Sequence, residues 1–438
     1  MNTTRGADRV LRATVILALS IPGLAFGEWE RQRMSPQEED KGFLDVCALS
    51  SSFAVAVGVI KQSSQDAAAV FITRDGTSWA ASSPRTSGGP MDVHMYLSVW
   101  FADESHGYVG GLGEIWTTDD GGATWVRTGL GGIMGGRAIT DITGLRPAGP
   151  AWAAASTGQV LRTTDGGATW PELAVPLSGA GLNSVVFIDE EHGWVISGRA
   201  VTDEGTGAEV GFEQGGLAVT TDGGATWQVV FSGETRMVSS VRFVDASRGW
   251  MLSRDLAGSR FERTTDGGLT WQPVAVPAES SGGAVGGLSD VFFFDPCEGM
   301  LIGSVGDNDW GAVWHTVDGG ETWVEVDRGF LRLGQIMGFP IEAGLLTFDF
   351  ADRDVGWATG TYESIFRYDS DDDPPACDSG GGDGDGGGGG GGRCGCRAPG
   401  SGPAIPPVFV IGVTLAGAVR LSRAVIRERE RERERGRT

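Results

Sequence analysis

Six aspartates stand in near-identical surroundings along this chain. Asp120, Asp165, Asp222, Asp266 and Asp318 each occupy the third place of an eight-residue stretch of the type TTDGGATW, and Asp75 sits in a copy one residue shorter. Recurring carboxylates could do two kinds of chemistry. A converging pair could cleave a glycosidic bond by acid/base catalysis, or several oxygens together could hold a hard cation. The neighbours argue for a different role. An Asp followed by Gly-Gly between short apolar runs is a hairpin turn, in which the carboxylate accepts backbone N–H groups and the glycines supply positive φ. The closing tryptophans, Trp79, Trp125, Trp170, Trp227, Trp271 and Trp323, start the next strand and can bury a large ring between sheets. None of these residues is expected to be catalytic.

Other reactive residue types are scattered. His94, His106, His192 and His315 show no metal-ligand spacing, and His106 and His192 occupy matching turns, which suits a structural place. Asp307-Asn308-Asp309 matches part of a calcium loop but lacks its remaining ligands, so neither metal nor cofactor is expected. No Ser-His-Asp arrangement is legible. The glycine-rich stretches lack the strand–loop–helix setting of a phosphate cradle.

The elements that position these turns are read from a second repeat. Residues 182–189 read LNSVVFID and are followed by His192-Gly193-Trp194. Similar phrases begin at Leu97, Val238, Leu288 and Leu346, with weaker copies at Phe43 and Ile139. Each is an apolar strand, a turn and a second strand. The apolar first strand suits the innermost place of a blade, buried on both faces. A third strand, the Asp-Gly-Gly turn and a fourth strand beginning at its Trp complete the unit. Successive turn tryptophans lie about 44 to 57 residues apart, a period that indicates propeller blades of four strands. There are seven phrases but six turns. The seventh blade ends at Tyr368-Asp369 without a fourth strand, while Glu28-Trp29-Glu30 resembles the missing one. The expected fold is therefore an all-β, seven-bladed propeller over residues 28–370, its last blade closed by the N-terminal strand, which removes a free sheet edge.

The repeated turn resembles the Asp-box, or BNR repeat, of sialidases, sortilin-type receptors and some glycan hydrolases. Seven blades with TTDGGATW-type turns look most like the photosystem II assembly and stability factor family. That resemblance implies an exported propeller that helps membrane protein complexes assemble. Sialidases are a poorer match, having six blades, a Phe/Tyr-Arg-Ile-Pro motif and a Tyr nucleophile. This chain lacks the tetrapeptide and has four tyrosines, of which Tyr108 fills a Trp position, Tyr362 and Tyr368 fall in the last blade, and Tyr96 is expected in a loop.

Composition sets further bounds. Hydrophobic residues make up 40% and charged residues 21%, as in a folded protein, and the net charge of −23 speaks against a nucleic-acid partner. Arg5, Arg9 and Arg12 precede an apolar run, so residues 1–27 read as a signal peptide. Beyond the propeller, residues 371–403 form an acidic and Gly-rich linker with Cys394 and Cys396. Residues 404–419 are apolar, a short membrane segment against the ~20 residues a spanning helix usually needs. Residues 420–438 are an Arg/Glu-rich tail, expected on the cytoplasmic side. This order resembles the MYXO-CTERM sorting tail of myxobacterial surface proteins, which implies retention at the envelope and processing near Cys394 and Cys396. Cys297 in a turn of blade 6 and Cys377 after blade 7 fall on one face of adjacent blades and are expected to form a disulfide, while Cys47 is expected to be a small buried residue.

A propeller places its Asp-Gly-Gly turns and phrase turns on one face and its remaining connections on the other. Three of the latter are long: 199–216 with Arg199 and Glu204, 306–311 with Trp310, and 327–344 with Phe330, Arg332 and Phe339. Long loops on a rigid scaffold are where binding concentrates, and aromatic and Arg side chains suit a protein partner or a surface glycan. The function expected is a monomeric, surface-anchored binding or assembly scaffold. The competing class is a glycan-acting hydrolase.

Overall fold

The computed structural model describes residues 28–370 apart from segments at 36–40, 61–69, 83–95, 129–137, 148, 178–180, 204–208, 278–284, 306–309, 329–331, 337–338, 343–344 and 361–363. The signal peptide, linker, membrane segment and tail expected at the two ends lie outside the described residues, as do Cys377, Cys394 and Cys396. Among the described residues no helix is long and apolar enough to cross a membrane.

Seven antiparallel sheets form the blades of a β-propeller. Their inner strands are Lys41–Ala48, Tyr96–Phe101, Ile139–Gly144, Leu182–Phe187, Met237–Phe243, Val285–Phe293 and Leu345–Phe350, for blades 1 to 7. Blades 2 to 6 each run outward through four strands in chain order, the fourth following the turn Trp. Blade 7 takes its fourth strand from Glu28–Arg31, with Trp29 opposite Tyr368. Trp29 packs in the place of a turn Trp, its ring 5.2 Å from Tyr368 and 6.2 Å from Phe350. The next strand, Arg33–Ser35, then runs parallel to Ser78–Ala81 as a fifth strand of blade 1. One short N-terminal segment thus covers the outer edges of both the last blade and the first, a bridge the repeat count does not reveal.

Aromatic rings close the seams between blades. A Trp of one second strand stacks on a Phe of the next inner strand: Trp152 on Phe187 at 3.8 Å, Trp194 on Phe243 at 3.5 Å, Trp250 on Phe293 at 3.5 Å. The turn Trp of that next blade then meets the same Phe edge-on, as Trp227, Trp271 and Trp323 do. Such pairs contribute about 0.5–1.5 kcal/mol each beyond the area they bury. In blade 3 the Phe position holds Gly144, against which the Trp100 ring packs, and Tyr108 meets Trp170 directly at 5.4 Å. Tyr108 is therefore a core residue.

Two expectations are corrected. Tyr96 is not in a loop: it begins the inner strand of blade 2 and is 1% exposed, because its ring fills the core beside that strand's bulge. The stretch 199–216 is largely a hairpin, not a loop. The second and third strands of blade 4, Gly193–Thr202 and Glu209–Thr220, stay paired past the end of the blade, through Ala200 opposite Phe212 to Thr202 opposite Glu209. Phe212 is buried beneath the Arg254 guanidinium of blade 5, which holds the extension down.

Candidate functional site

Three regions of the ring could bind or react: the turn face, the channel and the opposite face. On the turn face the six aspartates are fully engaged by their own turns. In blade 4 the Asp222 carboxylate accepts the Thr226 hydroxyl at 2.6 Å, the Thr226 N–H at 2.8 Å and the Thr220 hydroxyl at 2.8 Å. Asp120, Asp165, Asp266 and Asp318 repeat this set, and Asp75 takes the N–H groups of Thr77 and Ser78. Hydrogen bonds from the Thr169 and Thr226 hydroxyls, and then from their N–H groups, hold Asp165 and Asp222 down at about 2. Carboxylates so stabilised as anions are poor proton carriers. Gly223 and Gly224 adopt φ of 73° and 92°, which a side chain would strain. The Gly223 N–H donates to Glu191 O in the phrase turn, and its carbonyl accepts the Trp152 indole N–H from the preceding blade at 3.2 Å. Trp194 reaches Gly267 and Trp250 reaches Gly319 in the same way. The phrase turns are capped too: Asp103, Asp189 and Asp245 each accept two N–H groups two and three residues on. His106, His192 and Arg248 fold back on these carboxylates, so both histidines are structural.

The channel side holds a polar ring that the apolar reading of the phrases passed over. After a bulge in each inner strand the chain places Asp45, Ser98, Asp141, Ser184, Ser240, Asp290 and Thr347 at one level. They bond from blade to blade. Asp45 accepts the Val99 N–H at 2.6 Å, Ser98 the Ile142 N–H at 2.7 Å, and Asp141 the Ser184 hydroxyl at 2.5 Å. Asp290 accepts hydroxyls from both neighbours, Ser240 at 2.9 Å and Thr347 at 2.8 Å. Two residues further toward the turn face, Asp349 accepts the Ala48 N–H at 2.6 Å across the seam of blades 7 and 1. Burial raises these carboxyls: Asp141 and Asp349 to about 7, Asp290 to about 6, and Asp45 well above the usual carboxylate range. Arg146 and the buried Arg242 stand beside them, Arg146 donating to Phe101 O at 3.0 Å and Arg242 lying 3.9 Å from the Phe292 ring centre. Desolvation lowers Arg242 to about 10. Cys47, free and fully buried here, is pushed up to about 12. The ring's residue types sit at a fixed offset in every phrase, which is the signal that could have found them. The arrangement ties blades together and leaves no pair of exposed carboxylates for catalysis among these residues.

On the opposite face the binding residues read from sequence separate. Arg199 pairs with Glu213 on the exposed hairpin of blade 4. Trp310 begins the third strand of blade 6. Arg332 and Phe339 lie on the strands Arg332–Ile336 and Phe339–Glu342 of a two-stranded sheet inserted before blade 7. Glu204 and Phe330 lie outside the described residues. Three side chains that the sequence reading did not single out are exposed on this face: Leu112, Val210 and Leu256, the last at 71%. Among the described residues no group of three or more His, Cys, Asp or Glu could hold a metal ion.

The fold is that of a seven-bladed β-propeller, and it is similar to that of Ycf48. A structure described as Ycf48 bound to D1 peptide is 20% identical, with a TM-score of 0.56 over 80% of this chain and 100% of that one. Ycf48 from Cyanidioschyzon merolae is 18% identical, with a TM-score of 0.54 over 78% and 98%. The GH74 xyloglucanase from Xanthomonas campestris is 16% identical, with a TM-score of 0.52 over 78% of this chain and 53% of the enzyme. At these identities the likeness is one of fold. No family profile matches the chain, and no curated protein does.

Proposed function

We propose that this chain is a non-catalytic scaffold that binds a protein partner, held at the cell surface by its C-terminal segment after export. One observation carries the reading. The recurrent carboxylates are committed to the fold, either saturated within turns or buried between inner strands, so these repeated acids are withdrawn from acid/base work. A peptide-bound neighbour of the same architecture supports a protein as the partner. The face opposite the turns is the binding face in this reading. Its exposed Val210 and Leu256 stand on adjacent hairpins above a rigid ring, beside the Arg199–Glu213 and Arg260–Asp255 pairs. Apolar anchors with a charged rim suit a protein contact.

The test is capture of a membrane protein complex from detergent-solubilised envelope by the full chain and by its Val210→Asp/Leu256→Asp double variant. Capture by the parent alone supports the reading. Equal capture by both moves the contact elsewhere. Release of sugar from envelope glycans by the purified chain would replace the scaffold with the glycan-acting hydrolase, which the xyloglucanase fold keeps in view.

A further inference from the structure

Two turns of the ring share one sequence and differ in their surroundings. Residues 163–170 and 220–227 both read TTDGGATW. In both the aspartate accepts the same set of bonds: Asp165 takes the Thr169 hydroxyl at 2.6 Å, the Thr169 N–H at 2.9 Å and the Thr163 hydroxyl at 2.8 Å, as Asp222 does from Thr226 and Thr220. The glycine that follows is held differently. Gly223 is buried, its N–H donates to Glu191 O at 2.9 Å, and its carbonyl accepts the Trp152 indole N–H at 3.2 Å. The first glycines of the turns in blades 1, 2, 5 and 6 are also held at both ends. Their N–H groups donate to the carbonyls of Ser52, Ser105, Ser247 and Cys297. Their own carbonyls accept from Arg367, Arg74, Trp194 and Trp250 of the preceding blade. Gly166 of blade 3 is exposed and has neither bond among the described residues. A Cβ placed on Gly166 would meet nothing within 4 Å, while one on Gly223 would lie 2.6 Å from Glu190 O. Two local changes account for the difference. Blade 2 carries Tyr108 where blades 3, 4 and 5 carry a Trp that donates to the next turn. The phrase turn of blade 3, residues 145–150, closes on itself, with Leu145 N–H donating to Pro150 O and Gly149 N–H to Leu145 O, while its Arg146 turns away to Phe101 O.

We propose that Asp165–Gly166 is a spontaneous modification site, the turn among the six at which the native chain converts aspartate to isoaspartate. An Asp-Gly bond is open to this reaction because glycine has no side chain to keep its amide nitrogen from the neighbouring carboxyl carbon. The Gly166 nitrogen attacks Asp165 Cγ. The N–Cγ bond forms, the nitrogen gives up its proton, and one carboxyl oxygen leaves as water with that proton and one from solvent. Water then adds to the former peptide carbonyl, whose bond to the nitrogen breaks. The main chain now runs through Cγ, and the α-carboxyl is released as the new carboxylate. One water leaves and one returns, so mass is unchanged and water is the sole co-reactant. At Gly223 the same attack must break two backbone bonds and move a buried peptide, whereas at Gly166 it breaks neither. The carboxylate clamp is common to the two turns and slows them alike. The product draws the carboxylate away from Thr163 and Thr169 and lengthens the main chain of the blade 3 turn. This inference is independent of the binding reading.

The test is incubation of the full chain at neutral pH in water labelled with heavy oxygen, followed by peptide mapping. Opening of the cyclic imide inserts a labelled oxygen, and fragmentation separates isoaspartate from aspartate. Isoaspartate at Asp165 is expected to form at least about fivefold faster than at Asp222, the factor that one backbone hydrogen bond supplies. Asp75, Asp120, Asp266 and Asp318 should be as slow as Asp222. In the chain unfolded by denaturant the two identical octapeptides should react at equal rates, which assigns the difference to the fold. Equal rates at Asp165 and Asp222 in the native chain overturn the proposal, as does no reaction at Asp165 under conditions where the unfolded chain reacts.

Discussion

At the scale of single residues, the same few side chains do the same work at successive seams. Trp194 is 2% exposed, stacks on Phe243 and donates to Gly267 O at 2.8 Å. Replacing it with Phe keeps most of the stack and loses the hydrogen bond, so about 1 kcal/mol of unfolding free energy should disappear. Replacing it with Ala empties the seam and should cost about 3–5 kcal/mol. Chemical denaturation of the two variants checks both figures. The buried carboxyls predict an unusual pH dependence. Asp141 and Asp349 are raised to about 7 and Asp290 to about 6 by burial, whereas aspartates of the unfolded chain titrate near 4. The folded state therefore holds these protons more tightly. The stability these three groups contribute is therefore full below about pH 4 and is lost as pH rises through 6 to 7. Asp165 and Asp222 act in the opposite sense, contributing above about pH 4 and losing that contribution as pH falls toward 2. Asp141 is faced by Ser184, Asp45 and Asp290, and its Oδ1 has no partner among the described residues. Thermal unfolding of Asp141→Asn across pH 4 to 8 should show a flatter decline than the parent. An identical slope would remove Asp141 from the explanation. The turn aspartates were legible because Asp, Gly and Trp recur together at one spacing. The polar ring was harder to see, because one Ser, Thr or Asp per inner strand is a minor part of an apolar phrase.

At the scale of the element, the arithmetic of repeats carried more information than any single motif. Seven phrases against six turns located the missing outer strand at the N-terminus, and Glu28–Arg31 pairs with Ser364–Asp369 as that count requires. What the count could not supply was the parallel strand Arg33–Ser35 on blade 1, since three residues reading Arg-Met-Ser carry no strand signature. Trp29 anchors this bridge with 9% of its surface exposed. Trp29→Ala should lower stability by about 3 kcal/mol and loosen blade 7 first. Hydrogen exchange should show early loss of protection in Val355–Gly360, with the inner strands of blades 3 and 4 unaffected. The hairpin of blade 4 has a loop-like sequence for a physical reason. Its run of Gly, Thr, Asp and Glu has the composition of a turn, and its order comes from Phe212 lodging under Arg254 of the next blade, a contact between residues distant in sequence.

At the scale of the whole molecule, the ring is a rigid platform with two unlike faces. One face is a lattice of turns bonded within and between blades. The other carries the projecting hairpin of blade 4, the inserted sheet before blade 7 and the exposed Leu112, Val210 and Leu256. A propeller supports binding and hydrolysis alike, so function must be argued from residues placed on it. Here the recurrent carboxylates hold the scaffold together, and the irregular face is the one we propose for recognition. The most direct test pairs two assays on one sample: capture of a membrane complex from solubilised envelope by the full chain, and a screen of the same purified chain for release of sugars from envelope glycans. The account predicts a stable protein partner, lost in Val210→Asp/Leu256→Asp, and no sugar release. Sugar release without a partner would contradict it.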